Sequence, residues 1–246
     1  MKNKSRNPSP HTVAIIAAAG IGKRFGRDRS KQFVPLAGKP VLIWSLEALA
    51  ASNLIDEIIP VVHSDEIEST VALLNRFKIP KILRVVPGGR ERQDSVMNGL
   101  AAAPPKTEIV VVHDGARPLV ATRHVDAAIS ALHEIDGVVL GVPVKDTIKD
   151  AERDHYGAIV LKTIERSRLW AIQTPQVFRR ELLFSSLQRA QAEGFIGTDD
   201  ASVIERYGGT VRIVVGSYRN IKITTPEDLC VAEALLSAPR AEEPVE

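Results

Sequence analysis

The chain has 246 residues and a formal net charge of +2; it is 44% hydrophobic, 25% charged and 4% aromatic. That balance excludes a disordered or collagen-like chain and gives no reason to expect a long polyanion such as nucleic acid as a partner. The single cysteine, Cys230, excludes an intrachain disulfide and a cysteine-built zinc cluster and fits a reducing, cytoplasmic setting. No run approaches the ~18 to 20 apolar residues of a membrane span.

In chain order, residues 1–11 are basic and rich in Pro and Ser and are expected to form a disordered tail, as are residues 237–246. Residues 12–236 are expected to form a single domain. Within it, VAII reads as a strand, VLIWSLEALAAS as a helix, EIIPVVH as a strand and EIESTVALLNRF as a helix. A third cycle follows with ILRVVPGG, DSVMNGLAAAP and EIVVVHDGARP. Such alternation predicts an α/β fold: a Rossmann-like, mostly parallel sheet flanked by helices, its strand cores buried on both faces. From Gly137 to Phe178 the pattern changes to two extended stretches around the polar tip ERDHYG, which predicts a protruding β-hairpin arm at about 143–172 that packs on a partner. The remainder returns to helix, strand and helix.

The candidate chemistry starts where VAII runs into AAAGIGKRFG. Small residues let backbone N–H groups approach an anion, and glycine permits the φ values of a tight loop. Gly20, Gly22 and Gly26 fit neither a Walker A motif nor the Rossmann G-x-G-x-x-G register. Five cations, Lys23, Arg24, Arg27, Arg29 and Lys31, crowd the same segment. Fixed cations neutralise the charge that develops as pyrophosphate leaves a triphosphate, and Arg24 and Lys31 are the candidates for that role.

Other constellations carry both functional and plain structural readings. In GGRERQDSV, Asp94 or Ser95 is expected to cap the helix that follows. Asp114 stands at the carboxyl end of the buried strand EIVVVH, where open α/β sheets bind ligands, and is suited to orienting Mg²⁺ or a substrate hydroxyl. Arg117 is then placed to grip a second phosphate, and His113 is read as a packed structural residue. TPED reads as a capped helix start with Pro at its first position. Lys222, three residues before Thr225, is placed to bind phosphate.

AAAGIGKRFG with SKQF, GGRERQDSV, VVHDGARP, VPVKDT, TPQVF, TDDAS and NIKITTPEDL occur together in this order over residues 12 to 235. In these motifs the chain resembles the 2-C-methyl-D-erythritol 4-phosphate cytidylyltransferases of the non-mevalonate isoprenoid pathway. The resemblance implies a nucleotidyltransferase fold and transfer of CMP from CTP to the methylerythritol phosphate, with Mg²⁺. Arg24, Lys31 and Lys222 would be catalytic. Gly89 and Ser95 would line the cytosine and ribose pocket with the backbone of Ala18 and Ala19, beside the loop residues Gly20 and Gly22, while Asp114 would face CTP or its metal.

On the acceptor side the same resemblance implies Arg117, Thr147, Arg166 and Thr198, with Thr147 and Arg166 reaching the neighbouring subunit of a homodimer. Arg219 departs from relatives that carry an acidic residue there. Two other readings stand beside this one: a cytidylyltransferase acting on ribitol 5-phosphate, and a nucleotide-binding module without catalysis.

Overall fold

The structure is a computed structural model and describes residues 10–20 and 31–239. The stretches expected as tails therefore lie outside the described residues, apart from 10–11 and 237–239. β1 (Thr12–Ala18) leads to a short antiparallel pair, β2 (Pro35–Leu36) and β3 (Lys39–Pro40), then to α1 (Val41–Ala50), β4 (Glu57–Val62) and α2 (Ile67–Phe77). Next come β5 (Val86–Pro87), α3 (Arg92–Ala102), β6 (Ile109–Asp114), α4 (Thr122–Ser130) and β7 (Gly137–Pro143). A separate hairpin, β8 (Ile148–Arg153) and β9 (Ala158–Ile164), precedes β10 (Trp170–Arg179). α5 (Arg180–Ala192), α6 (Asp200–Arg206), β11 (Val211–Val215) and α7 (Pro226–Ser237) complete the described chain.

Seven strands form one sheet in the order β11-β7-β10-β6-β1-β4-β5. Only β10 runs antiparallel to its neighbours. Side chains of a strand alternate between its two faces, and β1 divides its residues between two cores accordingly. Ala14, Ile16 and Ala18 pack with Leu42, Ile43, Leu46 and Leu49 of α1 and with Val125 and Ile129 of α4. Val13 and Ile15 pack with Val96 and Leu100 of α3, Leu183 and Leu187 of α5, and Ile204 of α6. Each buried Val, Leu or Ile side chain among them contributes roughly 1.5–3 kcal/mol of transfer free energy. A sheet covered on both faces explains why β6 reads IVVV without polar alternation. The expected α/β architecture is the one observed.

Three details differ from the sequence reading. The strand expected over ILRVVPGG shrinks to Val86–Pro87 and an isolated bridge between Ile58 and Ile82, because it lies at the sheet edge and has only β4 to pair with. The two extended stretches expected between 137 and 178 each break in two. β7 and β10 pair within the main sheet; β8 and β9 pair with each other, and nearly all their residues are exposed. Helix α4 was not anticipated, although Val125, Ala128 and Ile129 have the spacing of a buried helical face. Cys230 does lie in a helix, α7, and is exposed.

Gly99 lets α3 lie close against β1: a Cβ there would stand 2.6 Å from Ile15 Cγ2. Substituting alanine improves helix propensity by about 1 kcal/mol but forces the helix off a filled core at a cost of roughly 1–3 kcal/mol. Gly99→Ala is therefore expected to lower the denaturant midpoint; an unchanged or raised midpoint would show that the helix can retreat freely.

Candidate active site

Parallel pairing brings the carboxyl ends of β1, β4 and β6 to one edge of the sheet. Ala17 pairs with Asp114 in register, and the Gly115 amide donates to the Ala17 carbonyl at 2.9 Å. The glycine-rich loop and Asp114 thus start from adjacent positions. The turn before α3 closes on them: a Cβ on Gly88 would stand 2.2 Å from Ala19 Cβ, so only glycine permits this approach. Together these segments enclose a cavity of about 430 Å³ lined by Ala17, Ala18, Ala19, Gly20, Gln32, His63, Gly89, Arg90, Glu91, Arg92, Ser95, Asp114, Ala116 and Lys222.

Seven residues singled out in the sequence, Ala18, Ala19, Gly20, Gly89, Ser95, Asp114 and Lys222, line this one cavity. Ser95 is not a helix cap. Helix α3 begins at Arg92 with Glu91 as its N-cap, and Asp94 Oδ2 accepts from the Glu91 amide at 3.0 Å. The Ser95 hydroxyl instead accepts from the Gly89 amide at 3.1 Å and donates to the Glu91 carbonyl at 3.2 Å, which fixes the Gly88–Gly89 turn. Gln32, which the sequence reading left without a role, donates to the carbonyls of Ala18 and Gly20. Gly22 and Arg24 lie outside the described residues; Lys31 opens a short 3-10 turn, Lys31–Phe33.

Asp114 is the electrostatic centre of the cavity. Lys222 Nζ lies 2.8 Å from its Oδ2, Arg92 Nε 3.2 Å from its Oδ1 and Arg117 Nε 3.6 Å from its Oδ2. Burial by itself would raise this carboxyl, but Arg92, Lys222 and Arg117 overcome it and hold Asp114 far below the usual carboxylate range. Arg92 also donates from Nη1 to Asp200 Oδ2 at 2.7 Å. Arg117 donates from Nη1 to the Asn220 carbonyl at 2.8 Å, tying the segment that carries Lys222 to the turn after β6.

His113 is packed, as expected, and completely buried. Burial pushes its imidazole down to about 4, so it is neutral at neutral pH. Its Nε2 faces the Arg117 carbonyl at 3.2 Å, which makes Nε2 the protonated nitrogen and leaves Nδ1 to accept from the Thr174 hydroxyl at 3.0 Å. Thr174 Oγ1 in turn accepts from the Asp114 amide at 3.0 Å. The histidine orients the backbone of Asp114 without meeting the cavity.

The remaining acceptor-side candidates lie apart. Thr147 and Arg166 sit at the base of the hairpin, where Arg166 donates to the Lys145 carbonyl. Thr198 is exposed just before the Asp199 cap of α6. None of the three, and not Arg117 either, is among the cavity's lining residues. Arg219 turns away to the end of α7, donating to the carbonyls of Leu235 and Ala238.

Arg92 and Asp200 were missed as site residues. They were visible only as letters inside GGRERQDSV and TDDAS, 108 positions apart. Among the described residues there is no group of three or more His, Cys, Asp or Glu that would cage a metal. One carboxylate in an anion pocket does fit Mg²⁺, which keeps water and substrate phosphate as ligands.

A mostly parallel α/β sheet with a glycine loop and clustered cations at its carboxyl edge defines a protein of the nucleotidyltransferase type. The family model for 2-C-methyl-D-erythritol 4-phosphate cytidylyltransferase (IspD) matches residues 12–238. The enzyme of that name from Pelotomaculum thermopropionicum is 46% identical over 227 residues, covering 92% of this chain and 94% of the relative. Its counterpart from Geobacillus kaustophilus is 45% identical over 229 residues, covering 93% and 98%. The crystal structure of 4-diphosphocytidyl-2C-methyl-D-erythritol synthase from Anaerococcus prevotii superposes with a TM-score of 0.82 at 32% identity, covering 94% of this chain and 97% of the other. The chain belongs to the 2-C-methyl-D-erythritol 4-phosphate cytidylyltransferase family.

Thr174→Val keeps the shape of the side chain but leaves the buried Asp114 amide and His113 Nδ1 without their partner. Its expected cost is about 1–3 kcal/mol in denaturant unfolding. A loss below about 0.5 kcal/mol would show that water or a shifted backbone replaces the hydroxyl.

Proposed function

We infer that this chain transfers CMP from CTP to 2-C-methyl-D-erythritol 4-phosphate, giving 4-diphosphocytidyl-2-C-methyl-D-erythritol and pyrophosphate. Family membership carries the reaction. The structural observation that supports it is the pairing of Arg92 and Lys222 with Asp114 in the lining of a pocket that the small residues Ala17, Ala18, Ala19 and Gly20 also line, with Arg117 beside Asp114 outside that lining.

In this reading the cytosine and ribose lie against Ala18, Ala19, Gly89 and Ser95, with the phosphates along Gly20 and Gly22. Arg24 and Lys31 hold the triphosphate, and Lys222 and Arg117 receive the acceptor's phosphate. An oxygen of that phosphate attacks the α-phosphorus of CTP. The new P–O bond forms as the bond to the bridging oxygen breaks, and its electron pair leaves with pyrophosphate. The attacking oxygen is already anionic, so no residue has to remove a proton, consistent with a neutral, fully buried His113.

Catalysis is positioning and charge stabilisation. Mg²⁺, held by the phosphates of CTP alone or with Asp114 as a protein ligand, would neutralise charge on the departing pyrophosphate. Asp114 serves besides as the anchor that holds Lys222 in the pocket's lining and Arg117 beside it before substrate arrives.

The acceptor side is completed by Thr198 and, in our reading, by Thr147 and Arg166 of a second copy in a homodimer. Support for the dimer comes from the hairpin, where Ile159, Val160 and Leu161 are 53% to 60% exposed in the single chain, a degree of apolar exposure that favours a covering partner. The domain would span 12–236, with the arm at about 143–172 as its dimerisation element. Among the described residues no helix is long and apolar enough to cross a membrane. We place the enzyme in the cytoplasm on its cysteine usage and its substrates.

The deciding experiment supplies purified protein with CTP and Mg²⁺ and measures pyrophosphate release with either 2-C-methyl-D-erythritol 4-phosphate or ribitol 5-phosphate. Release with the first and little with the second is expected. A clear preference for ribitol 5-phosphate would replace the acceptor, and nucleotide binding without release from either would favour a module without catalysis.

A further inference from the structure

The Arg92–Asp200 pair is not accounted for by the chemistry above. Arg92 is the first residue of α3, directly after the Gly88–Gly89 turn on the side of the pocket assigned to the base. Its Nε reaches Asp114 at 3.2 Å and its Nη1 reaches Asp200 at 2.7 Å, while Nη2 is buried without a hydrogen-bond partner. The guanidinium is therefore held by two carboxylates, Asp114 in the pocket's lining and Asp200 outside it. Asp200 is 2% exposed and lies two residues beyond Thr198, on the side assigned to the acceptor.

The segment carrying Asp200 is itself tied to the sheet. Gln176 of β10 donates to Asp199 Oδ2 at 2.7 Å and accepts from the Ala201 amide at 3.1 Å. The flanking residue Asp199 accepts from the Ser202 amide at 2.8 Å. Asp200 is thus a fixed point, and Arg92 is the link from that point to Asp114. Stability is a poor explanation for such a link, because well-packed apolar residues commonly match or exceed a buried ion pair. What an ion pair supplies and a greasy contact does not is directional alignment of three groups, two of them in the pocket's lining.

We propose that Asp200 is a positioning residue for nucleotidyl transfer: through Arg92 it keeps Asp114 and the base-side turn in register with the acceptor-side segment at Thr198. The proposal rests on the assignment of the two sides of the pocket given above. Asp200 does not touch substrate; its effect passes through Arg92. Misplacing reactants by a fraction of an ångström lowers the rate of the chemical step more than it lowers binding of either substrate.

The test is a double-mutant cycle of Asp200→Asn, Arg92→Gln and the double variant, read as kcat and as KM for each substrate, with Tm recorded alongside. Each single variant is expected to lower kcat about 10- to 100-fold with the KM for CTP changed less than about threefold, and the double variant to be no slower than Arg92→Gln alone. An Asp200→Asn kcat within about twofold of wild type, losses that multiply in the double variant, or a loss confined to KM would overturn the proposal. The double variant removes both charges at once and leaves neither buried alone. Should Asp200→Asn unfold, Asp200→Glu, which keeps the charge but moves the carboxylate, decides: a depressed kcat with near-normal KM supports the positioning role, and a wild-type kcat overturns it; should only Arg92→Gln unfold, Asp200→Asn decides by the same reading. The cycle is run on whichever acceptor the wild type uses. An error in the substrate assignment then appears in the wild type, and an error in the positioning role appears only in the variants.

Discussion

A single buried carboxylate, Asp114, holds three side-chain cations at one end of the sheet, and each cation arrives on a different part of the chain. Arg92 comes from the start of α3, Arg117 from the turn after β6, and Lys222 from the segment between β11 and α7. Without that carboxylate the three would repel one another and turn toward water. With it they are arranged before any phosphate enters, which is the condition for electrostatic stabilisation without reorganisation during the reaction. In the proposed function, a phosphate that reached Lys222 and Arg117 would exchange one anionic partner for another and meet groups already in place.

The fold is what makes such a carboxylate tolerable. Asp114 is 6% exposed, and burial alone would favour its neutral form. Parallel pairing with β1 fixes its backbone, the Thr174 hydroxyl takes its amide, and neutral His113 holds that hydroxyl in position. Asn220 extends the same order to the Lys222 segment: its side-chain amide donates to the Thr174 carbonyl at 2.9 Å and its own carbonyl receives Arg117. β10, the one strand of the seven-stranded sheet that runs antiparallel to its neighbours, therefore helps to orient the site as well as joining β6 to β7.

Much of this was legible in the amino-acid sequence where the signal is local. Apolar runs of strand length, helical spacing between them and a glycine loop after the first strand are short-range patterns, and they located the sheet, its carboxyl edge and Asp114. Patterns that depend on tertiary neighbours were not legible. Nothing in GGRERQDSV distinguishes the Glu91 cap from the expected Asp94 or Ser95, because the choice depends on where the Gly88–Gly89 turn meets Ala19. The Arg92–Asp200 contact joins residues 108 positions apart and has no periodicity to betray it. Thr147 and Arg166 came from family resemblance alone, and in the single chain they stand outside the cavity they are proposed to serve.

The charge of Asp114, more than its shape, organises the pocket. Asp114→Asn tests this, since the amide fills the same space and keeps one acceptor oxygen while losing the charge. Its turnover of CTP with the preferred acceptor, measured on protein shown to unfold cooperatively, is predicted to fall by about 100-fold or more. Near-wild-type turnover by a folded Asp114→Asn enzyme would contradict the account.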